Sequence, residues 1–435
     1  MEPTRLTLRA IMALRRAAHF ERYADAGAPA RNDQTVLIRG RLIVSIGPSA
    51  DIRIPQGTRV LDLPGHTVIP GIVGMHDHLG VGYDLKPRQD VRLLLGAGVT
   101  TIRTAGTHQP YSDINLKREI DEGRVPGPRI YLTSPFLTGP GQPDLRMAQA
   151  ANPSEARRFV NHWADEGASW IKVYTRIRRP ELAAAIDQAH ARGIRITGHL
   201  CAVTAREAAE LGIDNIEHGP GSTDFYPEKL PDACPQAAQS LPDLASQAVT
   251  ATIRTLVAKR VGITATLAEA EAYEPHRPAP DPRVFEFVTP ATLSAYKNLR
   301  TRADTILPSG YLAWLQRLFR TFVDAGGLLG AGTDPVFAGL LPGFADQRNY
   351  ELLVEAGFVP EQALRIMTAN GARLLGVASI LGTLESRKVA DLVVIRGDPI
   401  ANLGAIRDVV FTFKDGVGYD SSKLMESVRR ELGKQ

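Results

Sequence analysis

Two histidines separated by one residue, His76 and His78, are the first feature of the sequence that could do chemistry. They follow a short apolar run, Ile69 to Val73, with the composition of a buried strand. In a strand, residues i and i+2 project to the same face, so both imidazole rings can point to one place just beyond the strand end. The pair is therefore typical of two ligands of one metal ion. Two satisfied core histidines are the alternative that this motif alone leaves open.

Matching side chains stand at the ends of later apolar runs. They are Lys172, His199, His218 and Asp334. Buried ionisable groups are costly unless they are paired or bound to a metal, so six of them at five strand ends predict a metal site. The other six histidines fall mostly in turns and helical stretches and are interpreted as solvated. These are His19, His66, His108, His162, His190 and His276.

The elements that must position these residues alternate between short apolar runs and helical segments from residue 69 to residue 379. The runs are Ile69–Leu79, Val99–Ala105, Arg129–Leu137, Ser169–Thr175, Ile194–Leu200, Asn215–Gly219, Gly262–Leu267 and Leu328–Asp334. Eight such runs predict an α/β protein with a (β/α)8 TIM barrel, because an open doubly wound sheet usually has about six strands. In such barrels the active site lies at the carboxyl ends of the strands, where the six ionisable residues fall.

The flanking segments predict smaller units. Residues 34–68 and 380–420 contain β-branched runs without helical partners, and we expect them to form a small β-sandwich from both ends of the chain. Residues 1–33 are interpreted as an N-terminal amphipathic helix and a linker, and residues 421–435 as a C-terminal helix. A long loop at 221–243, directly after the sixth strand, is a candidate functional loop.

Charge and composition limit the partners. The formal charge is +4, from 51 basic and 47 acidic residues, and the charges are scattered. We therefore expect no nucleic acid partner and no membrane partner, but a small-molecule substrate and a homo-oligomer. Cys201 and Cys234 are expected to pack rather than to react. With two cysteines and no disulfide framework, the chain fits a cytoplasmic protein, and a secreted form with its signal already removed is the alternative.

Taken together, these motifs resemble the amidohydrolase superfamily over residues 34–420. The motifs are His76-Asp77-His78, Ile171-Lys172-Val173, Gly198-His199, Ile216-Glu217-His218-Gly219, Gly332-Thr333-Asp334, and the closing segments Gly382-Thr383-Leu384-Glu385 and Ala390-Asp391-Leu392. Within the superfamily the chain is similar to the branch of imidazolonepropionase-like proteins, Xaa-Pro and Xaa-Arg dipeptidases and ochratoxin hydrolases. That resemblance implies a binuclear metal centre bridged by a carboxylated lysine.

Carried over to this sequence, the resemblance assigns a role to each residue. His76, His78 and Asp334 would hold the first metal, and His199 and His218 the second. Carboxylated Lys172 would bridge the two ions, and a hydroxide would form the other bridge and attack the polarised carbonyl. Two divalent ions are expected, Zn2+ first, with Mn2+ or Fe2+ as alternatives. Asp334 would also pass the proton of the hydroxide to the leaving nitrogen.

The substrate side offers two candidate contacts, Tyr174 and Arg176, close behind Lys172 in the sequence. Arg176 could hold a substrate carboxylate, and a solvated arginine is the alternative. The segment Thr138 to Gln142 lacks the histidine that many dipeptidase-like members carry after the third strand. The expected function is hydrolysis of amide-type C–N bonds in a small N-acyl amino acid or dipeptide-like amide. The alternatives are a lactone, carbamate or phosphotriester hydrolase, a metal-dependent lyase such as a decarboxylase, and a non-catalytic binding protein.

Overall fold

The computed structural model describes residues 15–23, 29–81, 85–225, 229–234, 240–274, 276–301, 307–335 and 340–433. The strands are β1 (Arg15–Tyr23), β2 (Arg31–Arg39), β3 (Leu42–Pro48), β4 (Arg59–Pro70), β5 (Ile72–Asp77), β6 (Val99–Thr104), β7 (Arg129–Tyr131), β8 (Thr133–Thr138), β9 (Ala148–Gln149), β10 (Trp170–Val173), β11 (Arg195–Gly198), β12 (Asn215–Glu217), β13 (Gly262–Ala265), β14 (Leu329–Ala331), β15 (Leu392–Arg396), β16 (Val409–Lys414) and β17 (Val417–Asp420).

The helices of the described residues lie mostly between the barrel strands. They are Pro87–Gly96, Pro110–Asp121, Pro153–Asp165, Arg179–Ala191, Ala205–Leu211, Gln247–Ala258, Leu267–Ala272, Pro290–Thr301, Tyr311–Asp324, Phe344–Glu355, Pro360–Arg365 with its π-helical continuation Ile366–Asn370, Gly371–Leu375 and Ser421–Glu431. Several begin at a side-chain cap. Thr204, for example, accepts the N–H of Glu207 at 3.1 Å, while Glu207 Oε2 accepts the N–H of Thr204 at 2.9 Å, which satisfies two otherwise unpaired donors.

The parallel strands of the barrel, from β5 to β14, are arranged in the order in which they occur in the chain. β5, β6 and β7 pair side by side, and β8 continues the β7 segment to pair with β10. From there the parallel order runs β10, β11, β12, β13, β14. This is the order of eight barrel strands, the third of which is divided into β7 and β8, and the predicted α/β class is confirmed.

The last barrel strand returns to the first at residues 332–334. The N–H groups of Thr333 and Asp334 donate to the carbonyl oxygen of His76 at 2.9 and 3.0 Å. A Cβ atom at Gly332 would collide with the backbone of His76, so only glycine permits this approach. The closing contact therefore sets Asp334 directly beside the first histidine.

The helices pack on the barrel through apolar faces. The helix Tyr311–Asp324 buries Trp314, Phe319 and Phe322 along one side, at the spacing expected of an amphipathic helix. These rings join a single cluster of buried aliphatic and aromatic side chains that contains the apolar positions of most barrel strands. The carboxyl ends of the strands are thereby held by a close-packed core, which fixes the residues that follow them.

Both ends of the chain meet in one mixed seven-stranded sheet, in the order β17-β16-β15-β4-β1-β2-β3. β15 pairs antiparallel with β4, as expected for C-terminal strands that return to the N-terminal ones. The sheet has its own core, which includes Val36, Val68 and Phe413. Its strands form one hydrogen-bonded sheet, and the division into two facing layers of a sandwich stays a prediction.

The predicted N-terminal helix is wrong over residues 15–20. These residues belong to β1, which runs parallel to β4 and antiparallel to β2. Residues 5–14 of the predicted helix lie outside the described residues. This segment forms its backbone hydrogen bonds with a strand on either side. Its structure therefore depends on tertiary contacts and not on its local periodicity.

The expectation for the two cysteines is also wrong, because Cys201 and Cys234 form a disulfide with their Cα atoms 5.0 Å apart. Cys201 follows β11 and Cys234 lies in the long loop after β12, so the bond fastens that loop to the rim of the barrel. Disulfides are rare in cytosolic proteins, and the predicted cytoplasmic location therefore loses its support from the cysteines. Among the described residues, no helix is long and apolar enough to cross a membrane.

Candidate metal centre

His76 is held in one orientation by a buried carboxylate. Its Nδ1 lies 2.7 Å from Oε2 of Glu217, and both side chains are almost fully buried. A carboxylate can only accept here, so Nδ1 carries the hydrogen and Nε2 keeps its lone pair. Burial lowers the pKa of His76 to about 3 and keeps the ring neutral. His76 thus presents the form of imidazole that binds metal ions.

Two more histidines are oriented in the same way. Nδ1 of His78 donates to the carbonyl oxygen of Gly106 at 2.9 Å. Nδ1 of His218 lies 2.8 Å from Oγ1 of Thr266, which itself donates to Glu269 at 3.1 Å and therefore accepts from the histidine. Both arrangements leave Nε2 of the ring available to a ligand.

The three Nε2 atoms converge on Asp334. Its carboxylate oxygens lie 3.6 Å from Nε2 of His76, 3.2 Å from that of His78 and 3.5 Å from that of His218. The candidate ligand atoms of His76, His218 and Asp334 all lie within 4.8 Å of one another, a spacing that can hold a metal ion.

Two of these ligand atoms lack a hydrogen bond in the described part of the chain. Nε2 of His218 and Oδ1 of Asp334 are buried and form no hydrogen bond. Burial raises the pKa of Asp334, but positive charge on the neighbouring imidazoles outweighs this effect and holds the pKa well below its usual range, so the carboxylate is ionised whenever these rings carry a proton. A buried anion and a buried lone pair with no hydrogen-bond donor between them fit a bound cation.

His199 and Lys172 are the remaining two predicted ligands. The rings of His199 and His218 have their centroids 4.5 Å apart, and burial lowers the pKa of His199 well below its usual value. Lys172 is 1% exposed, and burial lowers the pKa of its amine to about 8. The six predicted ligands thus come from the ends of β5, β10, β11, β12 and β14 and face one region. Their assignment as metal ligands stays a prediction.

Strained backbone turns two of these side chains inward. His218 has φ of +62° and Asp334 has φ of +45°, in the left-handed region that residues other than glycine rarely adopt. Each follows the end of its strand, where side chains no longer alternate regularly between the two faces. Such strain is found most often at functional sites, because the surrounding structure must be built to maintain it.

The two candidate substrate contacts differ in exposure. The ring of Tyr174 packs edge-on against His199, with centroids 5.1 Å apart, and burial raises the pKa of its phenol to about 12. Arg176 is exposed. Its backbone N–H donates to Oγ1 of Thr138 at 3.3 Å, which joins the loops after β8 and β10. Tyr174 therefore borders the centre, while Arg176 lies farther out on the rim.

The residues behind His76 were missed by the sequence reasoning. Glu217 accepts from Arg103 at 2.5 Å and from Thr197, and neither Glu217 nor Arg103 has any exposed side-chain surface. Burial raises the pKa of Glu217, but Arg103, Lys172 and His76 outweigh it and keep the carboxylate ionised. The only signal in the sequence was the position of Glu217 between two motif residues, Ile216 and His218.

The sequence predicts a solvated His108, but the structure places this histidine in a half-buried position. Its side chain is 20% exposed and its ring packs against Phe136 with centroids 5.0 Å apart. Phe136 in turn lies 6.0 Å from the ring of His78. The sequence carried no signal for this packing, because His108 stands in a loop after β6 with no periodic neighbours.

Known proteins with this fold include hydrolases. A structure of a Bifidobacterium longum protein described as a prolidase is 24% identical, covers 96% of this chain and 99% of its own, and has a TM-score of 0.71. A Xaa-Pro dipeptidase with bound methionine is 20% identical, covers 93% of this chain and 100% of its own, and has a TM-score of 0.72. At these identities the likeness shows the fold.

Curated proteins with a similar sequence match a smaller part of the chain. An uncharacterised protein of Mycobacterium tuberculosis is 30% identical over 176 residues, which span 37% of this chain and 46% of that protein. The chain thus matches less than half the length of this curated relative. In contrast, the model of the Amidohydrolase family matches residues 67–418, which include every predicted ligand. The chain therefore belongs to the Amidohydrolase family, and the sequence-based prediction of a metal-dependent amidohydrolase is confirmed at the level of that family.

Proposed function

We propose that this protein hydrolyses the amide C–N bond of small N-acyl amino acids or dipeptide-like amides with two divalent metal ions, Zn2+ first among the candidates. The observation that carries the proposal is the convergence of three oriented Nε2 atoms on the ionised carboxylate of Asp334. Imidazole and carboxylate ligands suit zinc, manganese and iron alike. Divalent ions bound here would lower the pKa of a shared water toward ~7 and polarise the scissile carbonyl.

Lys172 is suited to become the bridging ligand. A protonated amine cannot bind a metal, whereas a carboxylated lysine offers two anionic oxygens. Reaction with carbon dioxide requires the neutral amine, and burial lowers the pKa of Lys172 to about 8, which raises the neutral fraction near neutral pH. Carboxylation would also replace the buried positive charge of the Lys172 amine with a negative charge close to the histidines.

We assign the proton transfer to Asp334. Its carboxylate lies within 3.6 Å of all three Nε2 atoms, so a water held among them would be within hydrogen-bond reach. Asp334 would accept that proton as the carbonyl is attacked and deliver it to the nitrogen as the C–N bond breaks. Without this delivery the leaving group would depart as an amide anion.

Arg176 supplies the proposed preference for acidic substrates. Its guanidinium is exposed on the rim next to the loop after β8, where a fork-shaped contact can hold a carboxylate. Tyr174, two residues earlier, borders His199 and would line the path between the rim and the metals. A substrate carboxylate held by Arg176 would thus orient the amide carbonyl toward the centre.

The test combines metal analysis with a substrate screen. Protein purified without chelator is expected to contain about two transition-metal ions per chain and to hydrolyse N-acyl amino acids faster than lactones, carbamates or phosphotriesters. Metal content near zero, with activity retained after chelation, would refute the metal centre. Faster turnover of another bond type would keep the centre and replace the amide assignment.

Two arginine variants test the substrate preference separately. Arg176→Met is expected to slow acidic substrates by about 10- to 150-fold in kcat/KM, the value of a charge-assisted contact of roughly 1.5–3 kcal/mol. Their neutral amide counterparts should be barely affected. The matched control is Arg178→Met, since Arg178 is also exposed and lies two residues away. Equal slowing of acidic and neutral substrates would contradict the role of Arg176.

A further inference from the structure

A cavity of about 210 Å3 lies on the far side of the short helix Leu267–Ala272 from the metal centre. Glu269 of this helix reaches His218, with Oε2 3.5 Å from Nδ1. Glu271, two residues later, lines the cavity instead. Two residues turn a helix by about 200°, so the two carboxylates point to nearly opposite sides. The cavity is therefore separate from the candidate metal centre.

The walls of the cavity combine apolar and cationic side chains. Val284, Leu340 and Phe344 give it apolar surface, while Arg300 and Arg348 give it guanidinium groups. Its volume is below the range of roughly 300–1,000 Å3 typical of pockets for drug-sized ligands. A ligand that fits would be small and partly apolar.

The ion pairs that the described residues form around the cavity leave one positive charge over. Carboxylates and guanidinium groups of the described residues form an ion-pair network there. Its members are Glu271, Asp281, Glu351 and Glu355 on one side and Arg277, Arg283, Arg348 and Arg407 on the other. These four anions and four cations offset each other, and Arg300 adds one further positive charge.

Within the described part of the chain, the guanidinium of Arg300 is held through neutral groups. Among the described residues, its Nη1 donates to the backbone carbonyl oxygen of Glu271 at 3.1 Å and its Nη2 to that of Arg277 at 2.9 Å. A guanidinium has five N–H donors, so three are left after these two hydrogen bonds. The two carbonyl contacts hold the group in place, and no carboxylate of the described residues forms an ion pair with it.

We propose that this cavity binds a small monocarboxylate, whose carboxylate pairs with Arg300 and whose apolar body packs against Leu340 and Phe344. The planar fork of an arginine matches the two oxygens of a carboxylate. The single excess charge favours a monoanion, because a dianion would face four carboxylates of the network with only one unpaired cation. This site does not depend on the proposed function of the metal centre.

The probe for this site is 4-bromophenylacetate, with 4-bromophenylacetamide as its neutral counterpart. Calorimetric titration is expected to show that the acid binds about 10- to 150-fold more tightly than the amide, as for a charge-assisted contact. Arg300→Met should weaken binding of the acid by the same factor and leave the amide unchanged. Arg317→Met is the matched control, since Arg317 is exposed on the helix Tyr311–Asp324 and does not line the cavity.

Anomalous scattering from bromine separates this cavity from the metal centre without any variant. A crystal of the wild-type protein soaked with 4-bromophenylacetate should show a bromine peak beside Phe344. A peak only at the histidines, or equal affinity of the wild type and a folded Arg300→Met variant, would overturn the proposal. Loss of folding in Arg300→Met would leave the bromine position as the deciding result.

Discussion

Glu217→Gln tests whether the metal centre needs a residue that is not itself a predicted metal ligand. Glu217 joins His76 to Arg103, at 2.7 and 2.5 Å, with no exposed surface on its own side chain or on that of Arg103. Glutamine keeps the size and one acceptor oxygen but removes the charge. It would leave the guanidinium of Arg103 buried without its anion and weaken the hold on Nδ1 of His76.

The magnitude follows from these two losses. Removing one partner of a buried ion pair costs about 3–5 kcal/mol in the free energy of unfolding. Losing a carboxylate that orients a metal-binding histidine lowers metal affinity by about 10- to 100-fold. We expect both effects in Glu217→Gln. Urea denaturation of the metal-free protein measures the first, and competition with a chelator of known affinity measures the second.

A double variant separates the two effects. Arg103→Met combined with Glu217→Gln removes both charges, so it should be at least as stable as Glu217→Gln alone, although the cation–π contact of Arg103 with Trp170 is also lost. Metal affinity should stay low, because His76 still lacks its carboxylate. Additive losses of stability would show that the buried pair is not coupled, and normal metal affinity in Glu217→Gln would show that His76 does not need Glu217.

Four further perturbations address Lys172, Asp334, Asp90 and the disulfide. Lys172→Ala should lose metal and activity together, and short carboxylic acids should partly restore both, whereas full metal content and turnover would exclude the bridge. Asp334→Asn should stay folded by circular dichroism but lose about 10²–10⁴-fold in kcat, and a loss below about tenfold would assign the proton transfer elsewhere. Burial raises the pKa of Asp90 to about 8, above its unfolded value, so the folded state holds a proton that is lost as the pH rises. Asp90→Asn should therefore stabilise the protein by an amount that grows from about pH 4 to pH 8, and a denaturation midpoint with the same pH dependence as the wild type would contradict this. Replacing Cys201 and Cys234 by serine should cost about 2–4 kcal/mol of unfolding free energy, measured against the oxidised wild type, and an unchanged midpoint would show that the bond does not constrain the unfolded chain.

The barrel and its strand ends could be predicted because each depends on local pattern. His76 and His78 follow a buried apolar run, and spacing alone puts both rings on one face. β1 could not be predicted in the same way, since its strand structure depends on β2 and β4, which pair with it on both sides. The disulfide was missed for a related reason, because Cys201 and Cys234 are 33 positions apart in the sequence and only the fold brings them together.

The strand-six motif shows where the rule of alternation fails. In a regular strand Glu217 and His218 would project to opposite faces, so at most one of them could serve the centre. In the structure Glu217, the last residue of β12, holds His76 from within the barrel. His218 reaches Asp334 because its φ of +62° turns the chain back toward the same interior. One strained residue thus lets two adjacent side chains act on one site, one as an orienting group and the other as a candidate ligand. A substitution that relaxes this turn would separate them even if both side chains were kept.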